Sequence, residues 1–475
     1  MAKLIPIYTW NKGVLELTKK SDKLSKQPWF QGALLLTCVV LAMLLANLPF
    51  TRDLYQSILE TNLQIRLHSQ DGAVNILFPR DLTVEKFIND VLMVLFFFTV
   101  GLEIRREVAN GELSSPKKAM LPIIAAFGGV ITPAIIYAIV NHGTAASSGW
   151  GIPTATDIAF AVCILTVMKD KVPLSLKVFL TALAIADDLI AILVVAFFYG
   201  GEINLLLLFF ALLVILFTIL LRHLGEKHMF PYLFCAIIVW ILFYYSGIHS
   251  TMSGVVMAFL IPAQSRYNKA QYIHKRNKYL ALLEEYDGID EEPFPNGPQK
   301  HCLRELDKIA SGTLDMSYKV EHALSPWVNF LIMPIFALAN AGVCISDPSY
   351  FNVLSYDAVL GSVSMGIFFG LLLGKPLGIT LFSWIAIKTG IGEMPKGADW
   401  KKFFAVACLG GIGFTMSIFV DTLSFGELAP DVAAHMRDAG KIAVLMGSVC
   451  AGLLGSLLIN ITSKMDKRKE AYISK

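Results

Sequence analysis

Apolar positions in this chain gather into runs of about 20 residues, the length that crosses a hydrocarbon core of about 30 Å. They fall near 30–48, 88–103, 119–140, 152–168, 174–198, 203–221, 230–246, 248–261, 326–344, 358–387, 403–420 and 441–461. The pattern predicts an all-α polytopic membrane protein of twelve transmembrane helices in one domain over 30–461, with both termini on the same side. Two runs are short and carry helix breakers: Gly151-Ile152-Pro153 in 152–168 and Gly410-Gly411-Ile412-Gly413 in 403–420. They are spans 4 and 11, at the centres of triplets 3–5 and 10–12. Paired broken helices in two halves of an inverted repeat mark the binding region of many transporters.

The polar stretches complete the plan. Residues 1–29 form a Lys-bearing N-tail and 462–475 a C-tail. The first apolar run has no small-residue cleavage site after it and reads as a retained helix. Residues 61–79 hold two β-like runs around Gln70-Asp71-Gly72, which predicts a short external β-hairpin. Residues 263–320 form a charged insert whose middle, EEYDGIDEEPFPNGPQK, is acidic, rich in Pro and Gly, and expected to be mobile.

Composition agrees with the pattern. Hydrophobic residues make up 55% of the 475 and charged residues 16%, against about 25% charged in soluble domains. The great majority of the 40 Lys and Arg lie in the tails and alternate loops, which places both termini, and the 263–320 insert, in the cytoplasm. The seven cysteines are scattered, with no CxxC or Cys/His cluster, so neither a disulfide framework nor a zinc site is expected.

Four ionisable residues sit well inside apolar runs, where each costs about 2.5–3.5 kcal/mol at the bilayer centre. Asp187 and Asp188 lie in LTALAIADDLIAILVV. Adjacent helical residues point about 100° apart, so the two carboxylates face different neighbours. Two buried carboxylates this close resist double ionisation and titrate as a coupled pair. A group that holds either a proton or a cation is what an exchanger needs. Asp157, flanked by Thr154 and Thr156, follows the break at Pro153. It reads either as part of an all-oxygen site for a hard cation or as a cap on the broken helix. Lys375 precedes Pro376 deep in a span and calls for a carboxylate partner: Asp187 or Asp157. Glu103, Arg106 and Glu107 share one helical face at a span's cytoplasmic end, where a solvated interfacial cluster is the plain reading. His249 follows a Gly and reads as a turn residue; Asp90 lies near the outer end of span 2.

The segments VGLEIRRE, GWGIPTATDIAFA, FLTALAIADDLIAI, YYSGIHSTMSGV, VEHALSPWVNFLIMPIFALANAGV, LLLGKPLGI and LGGIGFTMSIF together resemble the NhaA family of sodium/proton antiporters, over roughly residues 30–460. The resemblance implies Asp188 as principal ion and proton carrier, Asp157 and Thr156 at the same site, and Asp187 paired with Lys375. It implies that Glu103, Arg106, Glu107 and Glu321 form a pH-regulating cluster and that 61–79 is a dimer hairpin. It further implies electrogenic exchange of cytoplasmic Na⁺, and Li⁺, for external H⁺ by a homodimer in the bacterial inner membrane. No cofactor is implied beyond the transported ions. The 263–320 insert is longer than expected for the family, and Ser325 stands where some members carry a histidine.

Residue types alone leave a K⁺/H⁺ exchanger or a Na⁺-coupled symporter open. An intramembrane aspartyl protease would need GxGD and PAL signatures, which this chain lacks. A channel fits poorly with buried carboxylates that hold ions tightly. Nothing points to nucleic acid.

Overall fold

The structure is a computed structural model that describes residues 28–473 apart from 64, 69–74, 79–81, 112–113, 169–170, 202, 227, 263–264, 266, 286–296, 346–351, 355, 358 and 427. Residues 1–27 of the expected N-tail, the expected hairpin turn Gln70-Asp71-Gly72 and residues 286–296 of the insert's acidic centre lie outside the described residues.

In chain order the elements are α1 (Pro28–Asn47), α2 (Arg52–Glu60), β1 (Ile65–His68), β2 (Asn75–Phe78), α3 (Met93–Asn110), α4 (Pro116–Val140), a 3₁₀ segment (Ala145–Thr154) and α5 (Ile158–Val167). Then follow α6 (Leu174–Phe198), α7 (Leu205–His223), α8 (Met229–Ser246), α9 (Thr251–Leu260), α10 (Lys269–Glu285), α11 (Gly297–Thr313) and α12 (Met316–Trp327). The last are α13 (Met333–Asn340), α14 (Val363–Phe369), α15 (Lys375–Lys388), α16 (Trp400–Leu409), α17 (Phe414–Ser424) and α18 (Pro430–Ile473). β1 and β2 pair antiparallel, Ile65 opposite Phe78 and His68 opposite Asn75.

Among the described residues, nine helices are long and apolar enough to cross a membrane, or eleven if each of two bent pairs is one span. The chain is thus a multi-pass membrane protein. The bent pairs are the 3₁₀ segment with α5, at 42°, and α16 with α17, at 51°. Run 248–261 is the exception. Gly247, at φ 85°, closes α8 in a left-handed turn, and Pro262 follows the end of α9. Only ten residues remain for α9, about 15 Å of helix, half the thickness of a hydrocarbon core.

The chain divides into two compact units: Met1–Met93, Glu107–Gly200 and Asn329–Lys475 in the first, and Val94–Arg106 with Gly201–Val328 in the second. The first holds both bent pairs. Its central span is α6, with 72% of its apolar window enclosed. Alanines at 182, 184, 186 and 191 are buried there; small side chains let neighbouring backbones approach where lipid offers no hydrophobic drive. α4 and α15 approach more closely still. A methyl group on Gly378 would stand 2.1 Å from the Gly128 carbonyl oxygen, and one on Gly128 would stand 2.4 Å from that of Gly378. Only glycine permits this crossing, which carries Lys375 into the interior.

Two π turns lie just upstream of prolines: Val328–Ile332 before Pro334 and Gly370–Gly374 before Pro376. A proline lacks the N–H that would continue the ladder, and a wider turn takes up the mismatch. In the second unit α7 is apolar on nearly every side, with 11% of its window enclosed. The insert, read from sequence as a charged stretch, contains α10 and α11 on either side of its acidic centre.

Candidate ion-binding site at the two helix breaks

Pro153 lies at the end of a 3₁₀ segment rather than an α-helix, one residue before its last, Thr154, and Ala155 and Asp157 are extended before α5 begins. The unwound stretch therefore lies two residues beyond the breaker that the sequence marks. Asp157 is the N-cap of α5 and accepts from Phe160 N–H at 3.3 Å. In the other bent pair α16 ends at Leu409, and Gly410–Gly413 lead into α17.

The two breaks are hydrogen-bonded to each other. Asp157 N–H donates to the Ile412 carbonyl at 2.6 Å. Asp157 Oδ2 accepts from the backbone N–H of Thr415 at 3.1 Å and from its hydroxyl at 2.5 Å. Asp157 thus caps its own helix and also ties the two breaks together. Thr156 Oγ1 stands 2.8 Å from the Gly410 carbonyl oxygen and 2.6 Å from Asp187 Oδ2; its one proton has these two alternative acceptors.

Lys375 completes the network. Its ammonium donates to Asp187 Oδ2 at 2.5 Å and to Thr156 Oγ1 at 2.8 Å. Lys375, Asp187 and Thr156 are all 0% exposed. The structure selects Asp187, not Asp157, as the lysine's partner. The adjacent Asp188 is also buried and lies within electrostatic reach of Lys375. Asp187 is held by a cation while Asp188 points about 100° away around the helix, so the two carboxylates have different surroundings. A buried pair of this kind is kept by its hydrogen bonds as much as by charge.

The residues expected at the cytoplasmic end divide between the units. In the second unit Arg106 bonds to Glu321 and lies 3.7 Å from Glu103, with the arginine side chain 40% exposed. Ser325 donates its hydroxyl to the Glu321 carbonyl at 2.7 Å, within its own helix. Glu107 belongs to the first unit, where its carbonyl accepts Gly111 N–H at 3.0 Å as α3 ends. His249 sits in the turn before α9, its carbonyl accepting Met252 N–H at 3.0 Å.

One buried carboxylate escaped the sequence reading. Asp421 in α17 is 0% exposed, and it falls one residue past the run 403–420. Asp in SIFVDTLSF, with apolar residues on both sides, was the available signal.

Residues 22–459 match the family model described as Na⁺/H⁺ antiporter 1. The chain belongs to the Na⁺/H⁺ antiporter family. A protein named Na(+)/H(+) antiporter NhaA from Oleidesulfovibrio alaskensis is 41% identical over 430 residues, covering 90% of this chain and 91% of the relative. Na(+)/H(+) antiporter NhaA 2 from Syntrophotalea carbinolica is 39% identical over 432 residues, covering 91% and 94%. Na(+)/H(+) antiporter NhaA from Bacteroides fragilis is 40% identical over 430 residues, covering 90% and 94%. Members of this family are transporters, not enzymes, which removes the aspartyl-protease alternative.

Proposed function

We propose that this chain exchanges cytoplasmic Na⁺, and also Li⁺, for external H⁺ at the two helix breaks. Asp188 and Asp157, with Thr156, take the cation or the proton. Competition for the same carboxylates makes exchange obligatory. The Asp187–Lys375 pair beside them holds α6 and α15 at the site. The carrying observation is the single hydrogen-bonded network that joins both breaks, Asp157, Thr156, Asp187 and Lys375 in the interior of an apolar helical protein. Discontinuous helices of this kind present backbone carbonyls and half-helix ends to ions.

In this reading the twelve spans include α9 as a short one, and the bent pairs sit at the centres of the inverted triplets 3–5 and 10–12. The termini face the cytoplasm of a bacterial inner membrane. The exchange is electrogenic, with more protons than cations moved per turn. Glu103, Arg106, Glu107 and Glu321 set its pH dependence. The β1–β2 pair within 61–79 lies outside the membrane and supports a homodimer.

Purified protein in liposomes with an acidic lumen tests the assignment. Adding external Na⁺ should drive protons out of the lumen, and Li⁺ should do the same. Equal response to K⁺ would favour the potassium exchanger, and proton uptake with the cation would favour a symporter.

A further inference from the structure

α17 and α18 share a polar seam that the site above does not use. Ser417, Asp421 and Ser424 follow at spacings of four and three, so they line one face of α17, and all three are buried. Across from them on α18, Lys441 and Ser448 stand seven residues apart on one face and are buried as well. At one end the seam reaches the helix break: Gly413 N–H donates to Ser448 Oγ at 3.2 Å. A methyl group on Gly413 would stand 2.4 Å from Ser417 Oγ and 2.9 Å from the Ala155 carbonyl oxygen, so the serine hydroxyl lies over the break one residue from Thr156. At the other end Asp421 presses on Gly440, where a methyl group would stand 2.1 Å from Oδ1.

Neither carboxylate oxygen of Asp421 has a hydrogen-bond partner among the described residues, and neither has Ser417 Oγ. A carboxylate buried without hydrogen bonds is costly as an anion, so its charge state depends on what reaches it. The groups that act on it are Lys441, Arg437 and Asp438 of α18, the phenol of Tyr137 in α4, and that of Tyr199 at the end of α6. A cavity of about 240 Å³ reaches the same stretch of α18 through His435, Met436 and Ala439, within one turn of Gly440. Thr415, which binds Asp157, and Asp421 are six residues apart, about 9 Å along the helix.

We propose that Asp421 is a second proton-carrying site, which relays protons between the outer side and the carboxylates at the helix breaks along the α17–α18 seam. The inference rests on the exchange and orientation proposed above. A hydronium ion on the outer side gives its proton to the Asp421 carboxylate and becomes water. The carboxylic acid then passes a proton, through water and the Ser417 hydroxyl, to an ionised aspartate at the breaks. Asp421 returns to the anion facing Lys441, and nothing is consumed but the proton transferred. Neighbouring positions four apart have Cβ atoms about 5–6 Å apart, a gap that one water spans.

Two fluxes in the same liposomes test this: Na⁺-driven proton movement, and exchange of radiolabelled for unlabelled Na⁺, which needs no proton. The wild-type protein must show the first, and its absence there would overturn the antiport reading itself. Positioned proton carriers contribute orders of magnitude to transfer rates. Asp421→Asn should therefore lower proton-coupled exchange by about tenfold or more and leave Na⁺/Na⁺ exchange within about twofold. Asp421→Glu should restore the proton-coupled rate, and Ser417→Ala should lower it by about threefold with Na⁺/Na⁺ exchange kept. Unchanged proton coupling in Asp421→Asn, or equal loss of both fluxes, would overturn the relay. If Asp421→Asn does not fold, Ser417→Ala decides: proton coupling equal to wild type overturns it.

Discussion

The network at the helix breaks and the Arg106 cluster use the same chemistry, carboxylates facing a cation, and differ in solvent. Lys375 and Asp187 are 0% exposed and share Thr156 as a third partner. Arg106 is 40% exposed at the side chain and Glu103 35%, while Glu321, which also meets the arginine, is 10% exposed. The first group behaves as a unit, because removing one member strands a charge in a dry interior. In the second, solvent reaches Arg106 and Glu103 and softens the loss of their pairing, while Glu321, 10% exposed at the side chain, depends on the arginine. One arrangement suits holding an ion against a proton. The other suits sensing pH, where ionisation can tip a balance between two packed states.

The sharpest way to break this contrast is Asp188→Asn, which should abolish Na⁺-driven proton efflux while the protein still inserts and purifies. Near-normal efflux would move the carrier to another residue. Next, Lys375→Ala should destabilise the protein by about 3–5 kcal/mol, and Asp187→Asn added to it should recover part of the loss. Thermal unfolding of the single and double variants forms a cycle; simple additivity would mean that the pair is not energetically coupled. Gly378→Ala presses a methyl onto the Gly128 carbonyl and should cost about 1–3 kcal/mol, the range for overpacking. It should also slow exchange by displacing Lys375, which the same unfolding and flux assays report. The smallest effect on stability belongs to the exposed part of the Arg106 cluster. Glu103→Gln, which removes the exposed Arg106–Glu103 pairing, should change it by less than about 1 kcal/mol, and Glu321→Gln should move the activity–pH curve while the apparent Na⁺ affinity at each optimum holds. A lost Na⁺ affinity with an unmoved pH curve would place the cluster on the ion path.

Much of this was legible in the chain. Run length and the scarcity of charge announce a multi-pass membrane protein, because an apolar solvent forces long apolar segments. Asp187, Asp188, Asp157 and Lys375 stand out for the same reason: a charge in such a run is expensive enough to need a purpose. The breakers at 151–153 and 410–413 marked both bent pairs, since proline and clustered glycines weaken a helix wherever it lies. The tertiary structure decided what no spacing encodes. Lys375 is 188 residues from Asp187, and only the close crossing at Gly128 and Gly378 sets its reach. Asp157 serves as a helix cap and a cross-tie at once because Thr415 meets it from the other break. Apolar neighbours in α17 set Asp421 apart, but its burial against Gly440 of α18 belongs to the packed molecule and not to any one segment.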